Sequence, residues 1–115
     1  MLAGMTTRNT VVVLNKDQLG HGDSGLGVQS LGTFLRKSRS LQGLEAIVFF
    51  NGGVRLVAPD SPVLSELSNL ESEGVDLLPC GTCVEAFGVE VAVGQISNMD
   101  DIVAELGKAQ KVVTL

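Results

Sequence analysis

Hydrophobic positions along this chain fall into short unbroken runs separated by stretches with helical spacing. Thr10–Leu14 and Leu44–Phe50 are β-branched and aromatic runs with no polar alternation, which predicts strands buried on both faces. Between them lies a polar, Gly-rich loop, Asn15–Gly25. Val28, Leu31, Phe34 and Leu35 then recur at helical spacing over 26–39, with Asp23 or Ser24 as the N-cap. Asn51-Gly52-Gly53 signals a turn after the second strand, and Val54–Ala58 predicts a brief extended piece. Ser61 as N-cap and Pro62 at the first helical position open a helix that runs to about Glu73. Its inner stripe is Val63, Leu64, Leu67 and Leu70, and Gly74 is its C-cap. Val75–Leu78 predicts a third strand, which Pro79 stops because it has no N–H for the ladder. A short helical turn over Val84–Phe87 is closed by Gly88, and Val91–Ile96 predicts a strand or extended segment. Asn98 caps a last helix whose Met99, Ile102, Val103 and Leu106 fall at i, i+3, i+4 and i+7. Lys111–Leu115 predicts the final strand.

Strands alternating with helices predict a mostly parallel sheet with helices on both faces and right-handed crossovers. The 115 residues suit one domain, taken as 10–115, behind a loose tail at 1–9. With 44% apolar residues, four Phe and neither Trp nor Tyr, the core is aliphatic. The net charge of −5 disfavours a phosphate backbone as partner. The tightest basic group, Arg36, Lys37 and Arg39, reads as a helix end that offsets the helix dipole. We therefore expect no nucleic-acid binding. No apolar run is long enough to span a bilayer, and Met1–Thr10 lacks the long apolar stretch of a secretory signal. The expected compartment is the cytoplasm, where closely spaced cysteines are more often catalytic or metal-binding than disulfide staples.

In open parallel sheets, ligands bind beyond the carboxyl ends of the strands. That rim collects Asn15, Lys16, Asp17, His21 and Asp23 after the first strand, and Asn51, Gly52 and Gly53 after the second. Cys80, Gly81, Thr82 and Cys83 follow the third strand, and Ser97 and Asn98 follow the fourth segment. Cys80-Gly81-Thr82-Cys83 is the strongest signal. A thiol attacks as its thiolate, and free backbone N–H groups at a strand-to-helix turn stabilise that anion. Several chemistries fit such a pair. Dithiol exchange of the thioredoxin kind places its motif after an early strand, usually behind an aromatic residue, whereas here Pro79 precedes it. A zinc site needs four ligands, so His21 with Asp17 or Asp23 would have to complete the two thiolates. Gly20-His-Gly22-Asp-Ser-Gly25 matches GxGxxG, but it begins several residues past the strand. Two acidic residues there oppose a pyrophosphate. The bland reading of that loop is a helix lead-in capped by Asp23 or Ser24; alternatively it lies against the cysteines, with His21 as a proton donor or acceptor. We expect neither a metal nor an organic cofactor.

Four segments together resemble a known family. Asp17-Gln-Leu-Gly-His-Gly-Asp23 with Leu26-Gly27 is similar to the loop opening the DsrE-like domain of the YedF family of sulfur and selenium metabolism. Phe49-Phe50-Asn51-Gly52-Gly53-Val54, Leu78-Pro79-Cys80-Gly81-Thr82-Cys83 and Val93-Gly94-Gln95-Ile96-Ser97-Asn98-Met99 resemble further segments of it, in the same order. The resemblance runs from Val11 to Leu115. It implies an α/β fold, a three-layer α/β/α sandwich around a mainly parallel five-stranded sheet. It also implies a sulfurtransferase-like relay in the cytoplasm, with Cys80 carrying a persulfide and Cys83 assisting as a resolving thiol. Asn51 and the Asp17–Asp23 loop would shape the acceptor site. The implied partners are sulfur-donor and sulfur-acceptor proteins and further copies of the chain in a homo-oligomer. YedF-like proteins usually carry a domain of the TusA or SirA type before this one, and the residues ahead of Val11 leave no room for it. A separate protein of that type is therefore an expected partner. Other readings of the Cys80/Cys83 pair are a non-catalytic assembly or binding module with a redox latch, and a dithiol redox protein.

Overall fold

Val11–Leu14 and Ala46–Phe49 are all buried. A strand with no exposed side must be covered by a layer on each face. The computed structural model, which describes residues 8–115, shows that arrangement. The expected tail at 1–9 falls largely outside the described residues, and Arg8 and Asn9 already belong to the first strand. Four strands, β1 (Arg8–Leu14), β2 (Leu44–Phe49), β3 (Asp76–Pro79) and β4 (Ala109–Thr114), form a parallel sheet in the order β3-β2-β1-β4. In register, Val12 sits beside Ile47 on one flank and Val113 on the other, and Val48 sits beside Leu78.

The two-residue period of the strands sorts the core into two layers. Val12, Leu14, Ile47, Phe49 and Leu77 pack with Leu31 and Leu35 of α1 (Ser24–Lys37) and Leu67 and Leu70 of α2 (Leu64–Ser72). Val11, Val13, Ala46, Val48 and Cys80 form the opposite layer with Ile102 of α4 (Met99–Lys108). The short α3 (Gly81–Phe87) caps the end of β3 and adds Val84 to the first layer. On the surface, Arg36 pairs with Glu66 at 2.8 Å and Arg39 pairs with Glu73, tying α1 to α2. The basic group at the end of α1 is thus largely met by carboxylates.

Helix ends follow the local code. Asp23 accepts from the Leu26 N–H at 2.8 Å, Asn98 accepts from the Asp101 N–H at 2.8 Å, and Gly74 and Gly88 adopt positive φ behind α2 and α3. Helix α2 begins later than Pro62, because Ser61 first closes a separate turn. Its Oγ accepts from the Val63 N–H at 3.2 Å, and its carbonyl accepts from the Leu64 N–H at 3.3 Å.

Two expectations are corrected. Val54–Ala58 is not extended: Asn51–Val57 coils as a 3-10 segment. The reversal starts at Asn51, with φ of 48°, and the Gly53 N–H donates back to the Phe50 carbonyl at 2.8 Å. Coiling buries Val54, Leu56 and Val57, which an extended surface piece would leave partly wet. The expected fifth strand is not a regular one either, although its chain lies where that strand would run. The Gln95 N–H donates to the Leu77 carbonyl (3.0 Å), the Ser97 N–H to the Pro79 carbonyl (2.8 Å), and the Gly81 N–H to the Ser97 carbonyl (2.9 Å). The rung between these belongs to the nitrogen of residue 79, and proline has no hydrogen to donate. Strand β3 stops at Pro79, as expected, and Pro79 also breaks the ladder on the outer side of the sheet. Only a bridge between Cys80 and Ser97 remains.

Helix α4 is held to its face chiefly by one fully buried side chain, Ile102, whereas its neighbour Val103 is 57% exposed. We expect Ile102→Ala to cost about 2–5 kcal/mol and Val103→Ala less than about 0.5 kcal/mol. Urea unfolding of the two variants checks this, and equal losses would show that α4 packs differently.

Candidate functional site

Cysteine 80 is the last residue that β2 holds, its N–H donating to the Phe49 carbonyl at 3.0 Å. It is also the N-cap of α3, with its carbonyl accepting from the Val84 N–H at 2.9 Å. Both roles point its side chain inward, where it is 2% exposed among Val11, Val13, Ala46, Val48 and Ile102. The edge segment runs alongside it. A Cβ on Gly81 would lie 2.9 Å from the Ser97 carbonyl oxygen and 3.0 Å from Ile96 Cγ2. Only glycine lets that segment come so close.

Cysteine 83 lies one helical turn on, is partly exposed, and is a free thiol like Cys80. Its Sγ accepts a hydrogen bond from the backbone N–H of Asn51 at 3.1 Å. The donor aimed at sulfur therefore comes from the segment after β2, while the Gly81 N–H in the cysteine turn itself is taken by Ser97. Two features hold Asn51 there. Asn51 is the one non-glycine residue with positive φ among the described residues, a conformation asparagine tolerates better than most. Gly53 is pressed onto the end of β1, so that a Cβ there would collide with the Leu14 carbonyl oxygen. The Phe50 N–H donates to that same oxygen at 3.1 Å.

Arg55 joins the remaining pieces of the rim. Its guanidinium stacks 4.5 Å from the centroid of the Phe87 ring at the end of α3, and it approaches Asp17 at 3.8 Å. An open groove of about 480 Å³ runs beside this pair, lined by Pro59, Asp60 and Glu90 among others.

Of the residues anticipated from sequence, Cys80, Gly81, Cys83 and Asn51 come together. Gly52 lies over Lys16, its Cβ direction 3.8 Å from the Lys16 Cα. Asp17 approaches Arg55, which stacks on Phe87 at the far end of α3 and not on the cysteine turn. Thr82 is exposed on α3, and His21 is exposed in the 15–23 loop, with no hydrogen-bond partner among the described residues. Asp23 and Asn98 are engaged as helix caps. No group of three or more His, Cys, Asp or Glu side chains among the described residues is close enough to hold a metal ion. Sequence reasoning placed Gly53 on this rim but missed Arg55 and Phe87. Arg55 is the lone Lys or Arg between β2 and β3, but nothing local marks its aromatic partner.

No protein-family model matches the chain, and no curated protein is similar to it in sequence. Solved structures do match. The crystal structure of the YchN protein from E. coli superposes with a TM-score of 0.69 at 19% identity, covering 95% of this chain and 100% of that one. The protein of unknown function MTH1491 from Methanobacterium thermoautotrophicum gives 0.65 at 19% identity, covering 90% and 98%. The conserved protein of unknown function BT1422 from Bacteroides thetaiotaomicron gives 0.63 at 20% identity, covering 93% and 95%. At these identities the likeness is one of fold, and the fold is DsrE-like.

The backbone that aims the Asn51 N–H sets the stability predictions. Asn51→Gly keeps the positive φ and should stay within about 0.5 kcal/mol of the parent. Asn51→Ala meets the left-handed penalty of about 1 kcal/mol, and Gly53→Ala should cost about 3 kcal/mol or more. Thermal or urea unfolding ranks the three, and a neutral Gly53→Ala would refute the close approach to Leu14.

Proposed function

We propose that the chain is a sulfurtransferase-like carrier that takes up sulfane sulfur on a thiol of its Cys80–Cys83 motif and passes it to a partner protein. One observation carries this reading. Two free thiols sit a helical turn apart at the carboxyl end of β3, and a backbone N–H from a neighbouring segment points at one sulfur. A persulfide carrier needs a nucleophilic thiol at an accessible rim and a donor for the sulfur anion, and needs neither metal nor organic cofactor. The DsrE-like fold is compatible with such a relay.

The family resemblance assigns the persulfide to Cys80 and suggests a YedF-like setting, in which selenium, chemically close to sulfur, would be carried the same way. It also suggests a TusA- or SirA-like protein as donor or acceptor, and a cytoplasmic homo-oligomer. Ile96, Met99 and Val103 favour contact with other protein. They are large apolar side chains left exposed along the edge segment and the outer face of α4. No helix among the described residues is long and apolar enough to cross a membrane.

The test is intact-protein mass spectrometry after exposure to a cysteine desulfurase with cysteine. We expect a gain of one sulfur, removed by a thiol reductant, in the wild type and none in the Cys80→Ala/Cys83→Ser double variant. No gain in the wild type, under conditions where a known acceptor is loaded, refutes the carrier reading. A Cys80–Cys83 disulfide that turns over a disulfide substrate would favour dithiol redox chemistry instead.

A further inference from the structure

We infer that the loaded site can discharge itself: Cys83 attacks the Sγ of a Cys80 persulfide, expels hydrosulfide and leaves a Cys80–Cys83 disulfide. The inference rests on the carrier reading, with Cys80 as the loaded thiol, and adds a second activity to the same site.

Three observations carry it. The first is the placement of both thiols on one helix end. Cys80 is the N-cap of α3, and Cys83 is the third residue of that helix. Side chains at the N-cap and N3 positions face each other across the first turn, as the two members of a capping box do. Cys83 packs partly against the apolar cluster that encloses Cys80, and both are free thiols.

The second is burial, which distinguishes the two sulfurs of a persulfide. A thiolate that attacks the outer sulfur carries it away, which is transfer. A thiolate that attacks the inner sulfur expels hydrosulfide instead. Which sulfur is attacked depends on access. Cys80 is 2% exposed, enclosed by Val11, Val13, Ala46, Val48 and Ile102, with the Ser97 segment bridged to it. That covering keeps an incoming thiol away from Cys80 Sγ and leaves it the outer sulfur. Cys83 stands at the edge of the covering, partly exposed and partly packed against it. Burial thus assigns transfer to partners and discharge to Cys83.

The third is the Asn51 N–H, which donates to Cys83 Sγ at 3.1 Å. Such a bond strengthens when the acceptor carries negative charge, so it supports the thiolate that attacks. It is also lost when that sulfur turns toward Cys80. The left-handed backbone of Asn51 and the close approach of Gly53 to the Leu14 carbonyl fix the donor in place. Cys83 is therefore held as a restrained nucleophile, and a docked partner takes the outer sulfur before discharge occurs.

The step balances without an external oxidant. The Cys83 thiolate attacks Cys80 Sγ of a persulfide protonated on its outer sulfur. The Cys80–Cys83 S–S bond forms, the persulfide S–S bond breaks, and the outer sulfur leaves as hydrosulfide with the electron pair. The sulfane sulfur is reduced by the electrons that the two cysteines lose in becoming a disulfide. The disulfide has no thiol to load. A dithiol reductant, itself oxidised to a disulfide, returns both thiols and resets the carrier.

The test uses the full chain, loaded with a cysteine desulfurase and cysteine and then freed of both by rapid gel filtration. Intact mass, peptide mapping and released sulfide are followed without an acceptor and without oxygen. We expect the wild type to lose its added sulfur, release an equal amount of sulfide and end at the mass of the intramolecular disulfide. We expect Cys83→Ser, whose hydroxyl can still accept from Asn51, to keep the sulfur on Cys80 at least about tenfold longer, because the neighbouring nucleophile is gone. Equal persulfide lifetimes in the two proteins, or sulfide release without a disulfide, overturn the inference and leave the carrier reading intact. So does a Cys83→Ser protein that fails to load while the wild type loads. Failure of the wild type to load overturns both. A second measurement needs no variant. Wild type treated with diamide should form the Cys80–Cys83 disulfide and take up no sulfur until a dithiol reductant is added. Thiols that do not join under diamide sink the inference.

Discussion

Everything in this molecule follows from two strands that have no wet side. Val11–Leu14 and Ala46–Phe49 bury every side chain, so each face of the sheet must be roofed by helices. Roofing requires crossover connections, which make neighbouring strands parallel. Parallel strands send all their carboxyl ends to one rim. The candidate chemistry gathers there because the chain has no other place where several strand exits converge. The strand order β3-β2-β1-β4 then decides which exits are neighbours. It sets β2 beside β3, so the Asn51 turn stands next to the cysteine turn.

What distinguishes the site is backbone crowding. Gly53 allows the chain to lie on the end of β1, and Gly81 allows the edge segment to pass beside Cys80. The two close approaches work on opposite sides of the cysteine turn. One brings an N–H to Cys83, and the other helps enclose Cys80. Two thiols that are chemically identical in the unfolded chain thereby acquire different surroundings. Pro79 contributes to the same asymmetry. By leaving one rung out of the outer ladder, it keeps the edge segment irregular while Ser97 still bridges to Cys80. That segment is held at three more points, by the Ala92 N–H to the Val57 carbonyl, the Gln95 N–H to the Leu77 carbonyl and the Gly94 N–H to Glu71.

The two faces of the sheet are roofed unequally. Helices α1 and α2 share one face and are cross-linked by the Arg36–Glu66 and Arg39–Glu73 pairs. Exposed pairs of this kind add little stability, so that layer is held mainly by Leu31, Leu35, Leu67 and Leu70. The other face carries α4, anchored at Ile102, with Met99 and Val103 turned outward. The helical spacing of Met99, Ile102, Val103 and Leu106 suggests one continuous inner stripe. The stripe is wider than the sheet beneath it can cover, which leaves apolar surface on the outside of α4.

The sequence by itself determined the features whose causes are local. Strand runs, the caps at Asp23 and Asn98, the glycine stops at Gly74 and Gly88 and the position of the cysteine motif depend on residues within a turn or two of each other. Propensity and capping act over that range. Tertiary structure decided whatever depends on distant segments meeting. It decided the strand order, the irregular edge beside β3 and the 3-10 coil in place of an extended Val54–Ala58. It also set the joining of Asp17 to Phe87 through Arg55. Above all, it decided which cysteine is covered. Nothing in Cys-Gly-Thr-Cys distinguishes its first thiol from its second. Cys80 is enclosed because Ile102 and the Ser97 segment return to it from later in the chain, and Cys83 has a donor because Asn51 reaches it from earlier. Burial and hydrogen bonding are properties of the assembled surroundings, and for these two sulfurs those surroundings exist only in the folded chain.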